Sequence, residues 1–272
     1  MKKFSACFVF LLQLLAAQEQ GFSFYSGPLL FKPLVANTFE PRVGLIRNIN
    51  ENRLRLDIGN SIDLIQYHFE DPKRLLTVGS DFFTYTMLVG EQNFHFPVIA
   101  VDYLFGFNVN YKDTLKSGIF SARLRLSHIS AHFVDGHYDN TKAVWKEGMN
   151  PRVYSREFFD LAAAFEPTDS FRGYLGVLYV YHIDPLSLPK TAFYGGGEYH
   201  VNLYEEISGY CAYQLTVSGL RPRHEAQAGI KLGDWSGRGV VLSYLYYAGN
   251  NIHGEYHDKK DEYSGISFTI NF

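Results

Sequence analysis

Along most of this chain, apolar side chains recur at every second position, and that period constrains the fold more than any other feature. Ile266, Phe268, Ile270 and Phe272 alternate with Ser267, Thr269 and Asn271. Ala226, Ala228, Ile230 and Leu232 alternate with Glu225, Gln227, Gly229 and Lys231. Ile99, Val101, Tyr103, Phe105, Phe107 and Val109 alternate with a set containing Ala100, Asp102, Gly106, Asn108 and Asn110. Leu54, Leu56 and Ile58 alternate with Arg53, Arg55 and Asp57. A period of two is the mark of strands with unlike faces, and a helical period is almost absent.

Two architectures produce this pattern. A soluble sandwich buries the apolar face and wets the polar one. A transmembrane barrel turns the apolar face to lipid and the polar face to the lumen. Three features favour the barrel. The alternating segments are about 10 to 15 residues long, enough for a tilted membrane crossing. Aromatic residues make up 17% of the chain, with 20 Tyr and 23 Phe, which suits girdles at the two interfaces. The chain ends on Phe272 after apolar residues at alternate positions, which resembles the C-terminal signal read by the outer-membrane insertion machinery.

The links between strands check this reading independently. Outer-membrane barrels have short periplasmic turns and longer outer loops. Counting back from Phe272, Gly249–Glu262 falls outside and is long, and Gly233–Gly237 falls on the periplasmic side and is short. Glu166–Ser170 and Lys112–Ser117 are again short and periplasmic, and Asp135–Arg152 is outer and the longest. The expected fold is an all-β transmembrane antiparallel barrel of about 12 strands, with ten as the alternative because Pro41–Tyr67 is hard to divide.

Met1, Lys2 and Lys3 precede an apolar run from Phe4 to Leu15, then Ala16 and Ala17. This is the layout of a secretory signal peptide cleaved near Ala17. The run is too short to span a membrane. Removal of Cys7 with this peptide leaves Cys211 as the one cysteine, with no intramolecular disulfide to form. The expected organisation is 1–17 signal peptide, 18–40 periplasmic lead-in or plug, and 41–272 barrel in the outer membrane of a Gram-negative bacterium.

Only 19% of residues are charged and the net charge is −3, so no basic nucleic-acid footprint exists. No phosphate-binding glycine loop and no G-x-S-x-G elbow occurs. Gly195, Gly196 and Gly197, within one strand, read as a kink or a site of close packing rather than a ligand cradle. His253, Glu255, His257, Asp258 and Asp261 have the composition of a metal-ligand set, but they fall in an outer loop without rigid spacing and are expected to be solvated and flexible. An ion-binding role for His128, His132 and His137 is the weaker reading of those histidines. No cofactor and no metal is expected.

Leu124 to His132 is the segment with chemistry in it. Arg123 and Arg125 take the lumen phase. Phe120, Ala122, Leu124 and Leu126 take the lipid phase, which His128, Ser130 and His132 continue. The link count ends this strand in the long outer loop, so His128 and Ser130 fall on the barrel exterior near the outer leaflet. A polar pair is tolerable there, close to the interface. A serine hydroxyl beside an imidazole is a nucleophile with its base, and outer-leaflet ester bonds are the bonds within reach.

This His-x-Ser resembles the exterior-facing pair of outer-membrane phospholipase A and lipid A deacylase, two families of barrel enzymes. The resemblance covers this strand and the barrel plan. It implies Ser130 as nucleophile and His128 as base, with an amide or acid on the next strand to orient the imidazole. The lipid phase of that strand, Phe159, Leu161, Ala163 and Phe165, extends outward to Glu157, the candidate orienter; Asn140 and Asp135 are rivals. The intervening loop is longer than in the phospholipase pattern, so sequence does not place Glu157 against His128.

A wider resemblance rests on Phe31–Asn37, Glu40-Pro41-Arg42, Ser127–Asp135 and the tail Tyr246–Asn250 through Tyr263. Together these resemble an uncharacterised family of bacterial outer-membrane barrels, a domain of unknown function, which implies location and fold but no activity. The reading is an integral outer-membrane barrel with a structural, interaction or unassigned role; the alternatives are an outer-leaflet lipid acyl hydrolase and a narrow pore or transporter lined by residues such as Arg123, Arg125, Asp102 and Asn108. The expected partners are outer-membrane lipids and the insertion machinery. Oligomeric state is open.

Overall fold

A computed structural model describes residues 21–272 with the exception of 26 and 220. The signal peptide, Cys7 and the cleavage point lie outside the described residues. Fifteen strands occur among the described residues: β1 (Phe22–Phe24), β2 (Val43–Asn48), β3 (Arg53–His68), β4 (Arg74–Val89), β5 (Val98–Leu115), β6 (Gly118–Phe133), β7 (Tyr138–Asp139), β8 (Val144–Trp145), β9 (Ser155–Thr168), β10 (Phe171–Asp184), β11 (Thr191–Tyr204), β12 (Ile207–Ser218), β13 (Arg221–Gly233), β14 (Gly239–Asn250) and β15 (Lys260–Asn271). The Pro41–Tyr67 stretch divides at 49–52 into β2 and β3, which settles the strand count at twelve rather than ten.

Every barrel strand pairs antiparallel with the next, and β15 returns to β2 through Gly265↔Asn48 to Ile270↔Val43. β1 joins the sheet only at the tail of β3, and β7 and β8 form a separate small ladder in the outer loop. The remaining twelve strands close into a ring, the arrangement by which a sheet avoids ending on an open edge in lipid.

Burial separates barrel from sandwich. On β6, Leu124 and Leu126 are 43% and 42% exposed, whereas Arg123 and Arg125 are each 3% exposed. A soluble sandwich would show the reverse. The same inversion holds for Phe105 and Phe107 against Asn108 and Asn110 on β5, and for Ile266, Phe268 and Ile270 against Ser267 on β15. An apolar exterior over a polar interior is the arrangement that lipid requires. Aromatics occupy both sides of the wall. Phe107, Phe171, Tyr179, Phe193 and Tyr199 face outward, while Phe83, Tyr85, Phe158, Tyr174 and Tyr247 fill the interior.

The lumen is filled by the chain itself. Leu30, Phe31, Leu34, Asn37 and Glu40 are buried within it. Glu40 receives Arg123 Nη1 and Nη2 at 3.0 and 2.5 Å and Arg125 Nη2 at 2.8 Å, and Arg125 also reaches Asp81 at 3.0 Å. Phe31 lies between the guanidinium groups of Arg123 and Arg172, 4.5 and 4.8 Å from its ring. The backbone amides of Leu30, Val35 and Thr38 donate to Asp63, Glu198 and Glu225 at 2.8, 2.7 and 2.9 Å. Irregular backbone at membrane depth needs such partners, and the lumen carboxylates supply them.

Close packing explains the middle residue of the triple glycine. A Cβ on Gly196 would collide with the Tyr213 carbonyl and the Tyr174 ring, so the glycine admits the lumen tyrosine.

The outer mouth is capped. The β14–β15 link, expected to be flexible and solvated, folds inward instead: Asn251 to Tyr256 are buried. Asp102 holds it, accepting from His253 Nδ1 at 3.1 Å and from the Gly254 amide at 2.8 Å. Glu255 accepts the amides of Phe133 and Arg152, both at 3.2 Å. The correction has a simple cause: the acidic and histidine side chains of this loop find partners on strands far away in sequence. Arg152 also pairs with Asp258 at 2.7 Å, and no group of three or more metal-ligating side chains occurs among the described residues.

Candidate functional site on the barrel exterior

β6 rises to the outer rim and β9 descends from it. The long loop between them closes where the Ala131 amide meets the Tyr154 carbonyl at 3.2 Å. That closure sets the register that loop length had hidden. Ser130 stands opposite Ser155, and His128 stands opposite Glu157. Directly opposed residues on one face bring their Cβ atoms within about 5.5 Å, a distance that these side chains bridge.

His128 Nδ1 donates to Glu157 Oε1 at 2.7 Å. A carboxylate only accepts, so Nδ1 carries a proton, and in the neutral form of such a ring the lone pair is on Nε2. His128 and Glu157 are each about one-quarter exposed, 25% and 26% by side chain. They lie on the same face as Leu126 and Phe159, the face turned to lipid. Phe105, opposite His128 on β5, packs a tilted ring 5.0 Å from the imidazole and limits its swing.

Ser130 lies one step further up the same face. Residues two apart on a strand are separated by about 6.6 Å, within the combined reach of an imidazole and a hydroxyl. Among the described residues the Ser130 hydroxyl has no side-chain hydrogen-bond partner, and His128 bonds Glu157 and not Ser130. The rival orienters are elsewhere: Asp135 contacts the Gly136 amide, and Asn140 is exposed in the outer loop. His132 is exposed on the same outer face, whereas His137 is buried inside the mouth, stacked on Phe133 at 3.9 Å. The wall separates these histidines, which removes them as a joint ion site.

One member of the cluster was not visible in the sequence. His182 on β10 is paired with Glu157 in register, and its Nδ1 donates to Glu157 Oε2. Strict alternation from Tyr179 would turn His182 into the lumen. A β-bulge between Val180 and His182 inserts one residue, and Tyr181 and His182 both emerge outside. Ser155 adds a long contact to Glu157 Oε1 at 3.5 Å.

A closed barrel of twelve antiparallel strands, apolar outside and polar within, is an integral outer-membrane β-barrel of the bacterial type. No family model and no curated protein matches the sequence. Among solved structures, the chain is similar to outer membrane phospholipase A from Escherichia coli, with 11% identity, a TM-score of 0.54, and coverage of 91% of this chain and 94% of that one. It also matches the transport unit of the autotransporter AIDA-I from Escherichia coli, with 11% identity, a TM-score of 0.43, and coverage of 86% and 90%. The β domain of the Bordetella autotransporter BrkA gives 13% identity, a TM-score of 0.42, and coverage of 84% and 96%. At these identities the likeness concerns the fold.

Proposed function

We propose that this barrel is an outer-leaflet lipid acyl hydrolase. The reading rests on the 2.7 Å His128–Glu157 hydrogen bond on the lipid-facing wall, with Ser130 next along the same face. In the proposed reaction, Ser130 Oγ attacks the carbonyl carbon of a lipid ester while His128 Nε2 takes the hydroxyl proton. The C–O bond to the lipid alcohol then breaks, and His128 returns that proton to the leaving oxygen. Water, deprotonated by His128, hydrolyses the acyl-serine and releases a fatty acid. Glu157 keeps the imidazole in the required tautomer and stabilises the imidazolium that forms twice in the cycle. A phospholipase built on a similar barrel is a precedent for such chemistry on this fold.

The pore reading lacks a supporting observation. Arg123, Arg125, Asp102 and Asn108 do face the lumen, but the first two are paired to Glu40, Asp102 holds the cap, and Asn108 accepts from Asn110 at 2.8 Å. We also infer export through the N-terminal signal peptide and membrane insertion through the Phe272 signal.

The deciding test is release of fatty acid from phospholipid or lipid A vesicles by the folded protein, set against Ser130→Ala. Loss of release in the variant supports the reading, and equal release in both removes Ser130 from the mechanism.

A further inference from the structure

We propose that His182 is a positioning residue that fixes Glu157 against His128, so that the site is a four-residue relay of Ser130, His128, Glu157 and His182 spread over three strands. The proposal rests on the reading of this site as an acyl hydrolase. Its foundation is the two-sided grip on one carboxylate: His128 holds Oε1 from β6, and His182 holds Oε2 from β10.

Glutamate is a poor orienter when held on one side only. Its side chain has three rotatable bonds, and freezing them costs conformational entropy. At a rim where it is one-quarter exposed, a singly held carboxylate would swing between His128 and the headgroup region. His182 removes that freedom. Its donation to the far oxygen fixes the carboxylate plane and leaves the near oxygen facing His128 Nδ1. Sites work when the supporting shell locks the reacting groups within a fraction of an ångström.

The bulge gives the second argument. Without it, His182 would lie in the lumen and Glu157 would have no partner on the β10 side. The inserted residue breaks a strand ladder that is otherwise regular from Gly173 to Val180, and its effect is to move this imidazole to the exterior. His182 itself does not touch the reacting atoms. Its side chain is 67% exposed, and its contact is with Glu157 rather than with Ser130.

The test compares His182→Ala, His182→Leu and His182→Asn, each confirmed as folded by its heat-modifiable gel mobility. The Asn amide nitrogen replaces Nδ1 as a donor, whereas Leu keeps bulk without donating. For acyl release, Ala and Leu are expected to lower kcat about tenfold with KM unchanged, the worth of one charge-assisted hydrogen bond, and Asn to restore it. In protein labelled with 15N-histidine, the hydrogen-bonded Nδ1 proton of His128, assigned by its loss in His128→Ala, is expected in the wild type and the Asn variant. It is expected to broaden or vanish in the Ala and Leu variants. A wild-type resonance and wild-type kcat in His182→Ala would overturn the proposal. If the wild type releases no fatty acid, the hydrolase reading falls, and the resonance alone still decides whether His182 positions Glu157.

Discussion

The barrel carries two networks, each centred on a glutamate, and the wall separates them. Inside, Glu40 meets the guanidinium groups of Arg123 and Arg125 and is 1% exposed. Outside, Glu157 meets the imidazoles of His128 and His182 and keeps a quarter of its side chain exposed. The difference lies in the partner. A guanidinium does not give up its proton in a protein, so the inner network is fixed charge that fastens a plug. An imidazole nitrogen can both donate and accept a proton, so the outer network has groups able to move one. The same acid is thus held by permanent charge within the lumen and by imidazoles on the lipid-facing wall, where the proposed reaction would use it.

This contrast can be broken by experiment. The largest effect belongs outside: Ser130→Ala should lower fatty-acid release by about 1000-fold or more, with the unfolding transition in urea unchanged. The next belongs inside. Glu40→Ala leaves two buried guanidinium groups without their shared anion and should destabilise the barrel by about 3–5 kcal/mol. Urea unfolding reads that loss, and acyl release at a temperature where the variant stays folded should match the wild type. If Glu40→Ala abolished catalysis in the folded barrel, the division of roles would be wrong.

Glu157→Gln sharpens the outer half. The amide presents one donor face to two donating imidazoles, so one grip is lost, and acyl release should fall about 100-fold with little change in urea stability. The smallest effect is expected at the cap. His253→Ala removes one of the two hydrogen bonds that the cap makes to Asp102 and should cost about 1–2 kcal/mol. It should also speed proteolytic nicking within 251–259, with acyl release unaltered.

Much of the outer site was legible from residues alone. The alternation of Leu124, Leu126, His128 and Ser130 fixed their shared face, because side chains on a strand must alternate. The same rule carried Phe159 and Leu161 outward to Glu157. What alternation could not reach was register across the long 134–154 loop, since a loop of that length fits many offsets. His182 was hidden for a different reason: a bulge reverses the rule that makes a strand readable. The cap is not legible in the sequence because Asp102 lies about 150 residues from His253, and a local run of His, Asp and Glu reads as solvated until a partner is known.

The sequence by itself therefore determined the barrel, its inside and outside, and the side of the wall on which Ser130, His128 and Glu157 stand. Those depend on a period of two and on a signed difference between lipid and lumen, both of which are local properties of each strand. Only the tertiary structure decided that Glu157 meets His128, that His182 joins them, and that residues near Glu40 fill the lumen. Those depend on which strands become neighbours and at what offset, and hydrogen-bonded register between segments distant in the chain is fixed only when the sheet closes.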